Sequence, residues 1–85
     1  MQLILYQFEE CPYCAKVRGV LEGKGLKYEK VNVVRNREDS LRKKLAEKSG
    51  VLTVPVLKVR DGKGKEEYIG ESEKIIEFLE KKRFT

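Results

Sequence analysis

Apolar positions along the chain change period several times, and each change marks an element. Residues 2–8 are a nearly continuous apolar run of strand length, the pattern of a strand covered on both faces. Glu9-Glu10 breaks it. From Pro12 the period becomes helical: Cys14, Val17, Val20 and Leu21 share a face, and Gly23 and Gly25 supply the stop. Pro12 suits the first helical turn, where its missing N–H costs nothing. Residues 26–34 return to a strand through Tyr28 and the Val31/Val33 alternation, and Arg35-Asn36-Arg37 reads as a loop. Asp39 or Ser40 caps a second helix that carries Leu41, Leu45 and Ala46 and ends near Gly50.

Residues 54–60 form a third strand, Asp61-Gly62 turns the chain, and residues 66–69 pair back as a fourth. Ser72 is the expected cap of a last helix with Ile75, Ile76 and Leu79 as its buried stripe and Phe78 beside them. Lys81-Lys82-Arg83 suits the negative end of that helix's dipole. The order is βαβαββα, an α/β fold that opens on a right-handed βαβ unit and closes with an antiparallel hairpin.

Composition narrows the class. Eighty-five residues, 40% hydrophobic and 39% charged, suit a single domain over 1–85 with one modest core, too apolar for a disordered tail. No apolar run approaches the roughly 18 residues of a membrane helix. Met1 leads straight into the first strand, so no secretory leader is expected, and the chain reads as cytoplasmic and monomeric. The net charge of +5 comes from 19 basic and 14 acidic residues mixed along the chain. Its densest basic stretch, Arg42-Lys43-Lys44, has no aromatic neighbours and is offset by Glu38, Asp39 and Glu47. A nucleic-acid-binding module is therefore a distant alternative, since a dedicated binder clusters its basic residues around aromatic platforms.

Two cysteines and no histidine decide more than the charge does. A single Cys-x-x-Cys supplies half the ligands of a zinc site, so no metal is expected. Imidazole acid–base chemistry is unavailable, and one close pair makes no disulfide scaffold. Redox chemistry in a reducing compartment survives. A thiolate at a helix N-terminus faces free backbone N–H groups and the positive end of the dipole, which lowers its pKa. Cys11 takes that position as attacking nucleophile. Cys14, one turn on and deeper, is the resolving thiol, and Pro12 keeps the intervening turn rigid.

Cys11-Pro12-Tyr13-Cys14 resembles the active site of dithiol glutaredoxins, and Thr53-Val54-Pro55 resembles their Thr-Val-Pro segment. With the element order, the resemblance covers essentially the whole chain. It implies a thioredoxin-like fold, a four-stranded mixed sheet flanked by helices, with Val54–Pro55 in cis against the active-site sulfurs. It also implies that the Val54 backbone pairs with glutathione or a bound peptide like an added strand. Tyr13 would cover the ligand beside Cys11. At Gly70-Glu71-Ser72, Leu5-Tyr6-Gln7-Phe8 and Lys16-Val17-Arg18 the chain looks more like glutathione transferase N-terminal domains. Glu71 and Ser72, opening the last helix, would then receive the γ-glutamyl carboxylate of glutathione on free N–H groups.

Two departures stand out. Glutaredoxins commonly carry lysine three residues before the first cysteine and a basic residue before Thr-Val-Pro; here Phe8 and Leu52 occupy those places. Lys16, Arg35 and Arg37 are the cations available as replacements. Glu9 and Glu10 are expected to oppose Cys11 ionisation and to repel glutathione.

The resemblance implies a thiol–disulfide oxidoreductase acting on protein disulfides or glutathione mixed disulfides, with glutathione as co-substrate and no bound organic cofactor. The alternative keeps the dithiol chemistry without glutathione, fed by thioredoxin reductase or another small thiol. Cluster delivery of the monothiol glutaredoxin kind is disfavoured by the second cysteine and by Pro12.

Overall fold

The protein is described by a computed structural model over residues 2–36 and 38–81. Its elements are β1 (Gln2–Gln7), α1 (Pro12–Gly23), β2 (Glu29–Asn32), α2 (Ser40–Ser49), β3 (Val56–Arg60), β4 (Glu66–Gly70) and α3 (Ser72–Lys81), in the order expected. The sheet has four strands in the order β2-β1-β3-β4. β1 pairs in parallel with β2, Leu5 opposite Lys30, and antiparallel with β3, Leu5 opposite Leu57. β3 and β4 form the hairpin, Leu57 opposite Ile69.

Side-chain alternation along a strand assigns each residue to one face. Leu3 and Leu5 of β1 with Leu57 and Val59 of β3 face α1 and α3, where Val17, Leu21, Ile75 and Leu79 close the core. Each such side chain contributes on the order of 1.5–3 kcal/mol when fully buried. The opposite face is less covered than the continuous apolar run of β1 suggested. Ile4, Tyr6, Lys58 and Tyr68 are only half-buried there. α2 packs on β4, and its Leu45 is buried outside the main cluster.

Local signals place the helix ends. Asp39 is the cap of α2, its carboxylate accepting from the N–H groups of Leu41 (3.1 Å) and Arg42 (3.3 Å). Gly50 ends that helix in the left-handed region at φ 78°. Ser72 is not the cap of α3. It is the first helical residue, and the carbonyl of Glu71 accepts from Ile75 N–H at 3.0 Å. Of the basic run expected at the end of α3, Lys82 and Arg83 lie outside the described residues.

Two strands are shorter than their apolar patterns. β2 covers four residues because Leu26 and Tyr28 pack against the core from the preceding loop. β3 starts at Val56 because the chain turns at Pro55, which has no N–H for a ladder.

Gly70 holds two walls of the molecule together. A Cβ built on it would run into the Cγ2 methyl of Val51, just past the end of α2. Gly70→Ala should cost about 1–3 kcal/mol through overpacking, read as a lower denaturant midpoint at unchanged slope. A midpoint equal to that of the parent protein would show that Val51 yields freely.

Candidate active site

The turn after β1 sets the site. Cys11 N–H donates to Phe8 O at 3.3 Å, and Cys11 takes an extended conformation (φ −76°, ψ 124°) as the residue before α1. Pro12 follows as the first helical residue, as expected. Both cysteines are free thiols; Cys11 is half-buried and Cys14 fully buried. Burial pushes the Cys11 pKa up. Hydrogen bonds from the Cys14 and Tyr13 N–H groups and the Cys14 thiol, together with the Arg35 charge, outweigh it, so the net shift is downward. For Cys14 burial wins, and its pKa is pushed up to about 11 although Phe8 N–H and the Arg18 charge favour the thiolate. The two sulfurs are thus split in the direction that nucleophile and resolving roles require.

This split has a direct readout. Iodoacetamide at neutral pH should label Cys11 faster than Cys14 by at least about tenfold, because two pKa units separate thiolate fractions about a hundredfold, the greater basicity of Cys14 returns about tenfold, and burial of Cys14 slows its reaction further. The Cys11 rate should level off at a pH below that of a free cysteine. Equal labelling of the two would contradict the hydrogen-bond arrangement.

A cavity of about 490 Å³ opens over Cys11, lined by Phe8, Cys11, Tyr13, Arg35, Arg42, Thr53, Val54, Pro55, Glu71 and Ser72. Every site residue expected from sequence is in this lining except Cys14, which lies beneath it. Val54–Pro55 is cis. Tyr13 stands out at the rim with 64% of its surface exposed. Glu71 holds φ at 68°, a left-handed conformation disfavoured for a glutamate.

Three lining residues complete the set. The Arg35 guanidinium lies 4.6 Å from the Phe8 ring centroid and that of Arg42 5.2 Å from it. Arg35 therefore brings a cation to the cavity through the aromatic residue that stands where lysine was missing. Lys16 is exposed and outside the cavity lining, and Arg37 lies outside the described residues.

Arg42, the first residue of the densest basic stretch, has the aromatic neighbour that the stretch lacks in sequence, and it is buried. Only 6% exposed, it donates to Val34 O at 2.7 Å and Leu52 O at 3.1 Å, tying together the loops on either side of α2. Its spacing with Leu45 and Ser49 on one helix face was the signal available.

Of the acids before Cys11, Glu9 is engaged away from the cavity. Glu9 accepts from Gln7 Nε2 at 2.9 Å and pairs with Lys30 at 3.3 Å, and neither Glu9 nor Glu10 lines the cavity over Cys11. The Glu9 charge is compensated on the β2 side of the turn.

The family model for the N-terminal domain of glutathione S-transferases matches residues 5–85. The chain belongs to this family. Among curated relatives, mouse prostaglandin E synthase 2 is 38% identical over 64 residues, 73% of this chain and 15% of the synthase. Glutaredoxin 1 of Rickettsia felis is 32% identical over 53 residues, 62% of this chain and 52% of the glutaredoxin. The match therefore spans about half the length of that glutaredoxin and a small part of the synthase. A maleylacetoacetate isomerase from Anaeromyxobacter dehalogenans, solved with glutathione in its active site, superposes with a TM-score of 0.72 at 29% identity. That superposition covers 93% of this chain and 36% of the isomerase. The sheet order and helix placement are those of the thioredoxin-like fold, with glutaredoxin and transferase N-terminal domains as structural neighbours. This glutathione S-transferase N-terminal domain thus carries two cysteines at the start of α1, the upper one opening into the cavity and the lower one closed off.

Proposed function

We propose that the chain is a dithiol thiol–disulfide oxidoreductase of the glutaredoxin type, with Cys11 as nucleophile and Cys14 as resolving thiol. The observation that carries this reading is the paired placement of the sulfurs: one favoured as thiolate at the mouth of a cavity, the other protonated and buried beneath it. A conjugating transferase would have no use for the second. The Cys11 thiolate attacks one sulfur of a protein disulfide or a glutathionylated protein, forming a mixed disulfide and expelling the other sulfur as thiolate. Cys14 loses its proton and attacks the Cys11 sulfur, releasing the reduced substrate and leaving Cys11–Cys14 oxidised. Two molecules of glutathione reduce that disulfide in turn, becoming oxidised glutathione.

Glutathione fits the cavity by its chemistry. Val54 precedes β3, so its backbone is outside that ladder and available to pair with the cysteinyl unit. Glu71 and Ser72, at the start of α3, offer N–H groups to the γ-glutamyl carboxylate. Arg35, held on Phe8, faces the remaining carboxylate, and Tyr13 covers the ligand. The working form on this reading is a cytoplasmic monomer with no bound organic cofactor and no metal. Its partners are disulfide-bearing or glutathionylated proteins, with no nucleic acid and no membrane.

The test is a coupled assay on a glutathionylated peptide with two electron sources. Turnover with glutathione and glutathione reductase supports the proposal. Turnover only with thioredoxin reductase favours the glutathione-independent alternative, for which the absent lysine at Phe8 is the motive. No turnover with either source would defeat both readings.

A further inference from the structure

Gln7 is a fully buried polar residue that the exchange chemistry does not use. Its side-chain oxygen accepts a hydrogen bond from Arg18 Nη1, and its Nε2 donates to Glu9 Oε2 (2.9 Å) and Asn32 Oδ1 (2.7 Å). Arg18 Nη2 also reaches Glu9 O at 3.4 Å. Arg18 follows Cys14 by four residues on α1, the spacing at which side chains stand on one helix face. A buried amide thus locks a cation whose charge reaches the buried thiol.

We propose that Arg18, held by Gln7, is a positioning residue for the resolving step, its charge stabilising the Cys14 thiolate as it attacks the Cys11 sulfur. This rests on the dithiol reading above. The balance is simple: Cys14 gives a proton to solvent, a sulfur–sulfur bond forms to Cys11, and the substrate sulfur leaves as thiolate. A deeply buried thiol otherwise meets this step almost wholly protonated, and a fixed cation is the remedy a low-dielectric site allows. The charged and titratable groups around the pair are Cys11 just before α1, Glu9 and Lys30 across the Gln7 network, and Tyr28 with its partner Glu22. Glu9 feels the Arg18 charge as well as its own partner Lys30.

The magnitude can be bounded. Each unit by which the Cys14 pKa rises removes tenfold of its thiolate, while the greater basicity returns about threefold through a Brønsted slope near 0.4–0.5. The net effect is a resolving step about three- to fourfold slower per unit at neutral pH.

The experiment uses limiting dithiobis-nitrobenzoate, which reports both steps by colour. Attack by Cys11 releases one nitrothiobenzoate in a phase proportional to reagent. Attack by Cys14 releases the second in a phase independent of reagent and absent in Cys14→Ser. Arg18→Gln should leave the first phase within about twofold and slow the second about three- to tenfold, with its plateau moved to higher pH. Arg18→Lys, which keeps the charge, should restore the second phase to within about twofold of the parent. Should Arg18→Gln not fold, Gln7→Glu places a carboxylate against Arg18 and should slow the second phase likewise. An unchanged pH profile in both Arg18→Gln and Gln7→Glu, or Arg18→Lys as slow as Arg18→Gln, would overturn the proposal. A parent protein with no reagent-independent phase would instead sink the dithiol reading beneath it.

Discussion

Cys11→Ser should abolish disulfide reduction, whereas Cys14→Ser should leave the protein able to capture a substrate and unable to let it go. The asymmetry follows from the cavity. Only Cys11 opens into it, and serine there removes the nucleophile at neutral pH, so the loss should reach at least about a thousandfold, or some 4 kcal/mol of barrier. In Cys14→Ser the first attack still proceeds, and mixed disulfides with protein substrates accumulate and survive non-reducing electrophoresis. On the proposed reading glutathione resolves a glutathione mixed disulfide on Cys11 by itself, so deglutathionylation should persist in this variant while reduction of protein disulfides should fail. Mass spectrometry of the trapped species should find the adduct on Cys11. Adducts on Cys14 in the unsubstituted protein would reverse the assignment.

Arg42→Ala should be the costliest change among the charged residues, at about 2–4 kcal/mol. The buried guanidinium bonds two backbone carbonyls, Val34 O and Leu52 O, in different loops, and hydrogen bonds to a charged donor are worth about 1.5–3 kcal/mol each. Both residues are exposed, 53% and 63%, so water can satisfy part of the loss and the total falls below the sum. Arg42→Lys should recover less than half, because one ammonium lacks the planar fork that reaches both loops. Because Leu52 leads into Thr53-Val54-Pro55, the loosened loop should also raise the KM for glutathione. A denaturant midpoint within error of the parent would show that the two loops are held without the guanidinium.

The fold was legible because most of its signals are local. Hydrophobic period, Pro12, Asp39, Gly50 and the Asp61-Gly62 turn each specify their own element, and all agree. The strand ends were less legible: Leu26 and Tyr28 pack against the core half-buried, as their character demands, but from a loop rather than from β2. The sulfur pair and the Thr53-Val54-Pro55 segment stand in the sequence as short strings. The stacking of Arg35 and Arg42 on Phe8 does not, since it joins residues from three separate segments. Arg42 shows the limit most sharply. Nothing in the basic stretch signals its burial, which the carbonyls of two distant loops make favourable. The partner of Glu9 is hidden from the sequence for a similar reason, Lys30 lying on another strand.

The left-handed backbone at Glu71 (φ 68°) sets stability and selection against each other. A side chain there costs roughly 1–2 kcal/mol that glycine would not incur. The exposed Glu71–Lys74 pair at 3.4 Å offsets at most part of it, as surface pairs are typically worth under about 1 kcal/mol. A library screened for thermal resistance alone should therefore drift to glycine at this position. The same library screened for turnover should keep a side chain that shapes the cavity wall, so that the two lineages diverge first at residue 71.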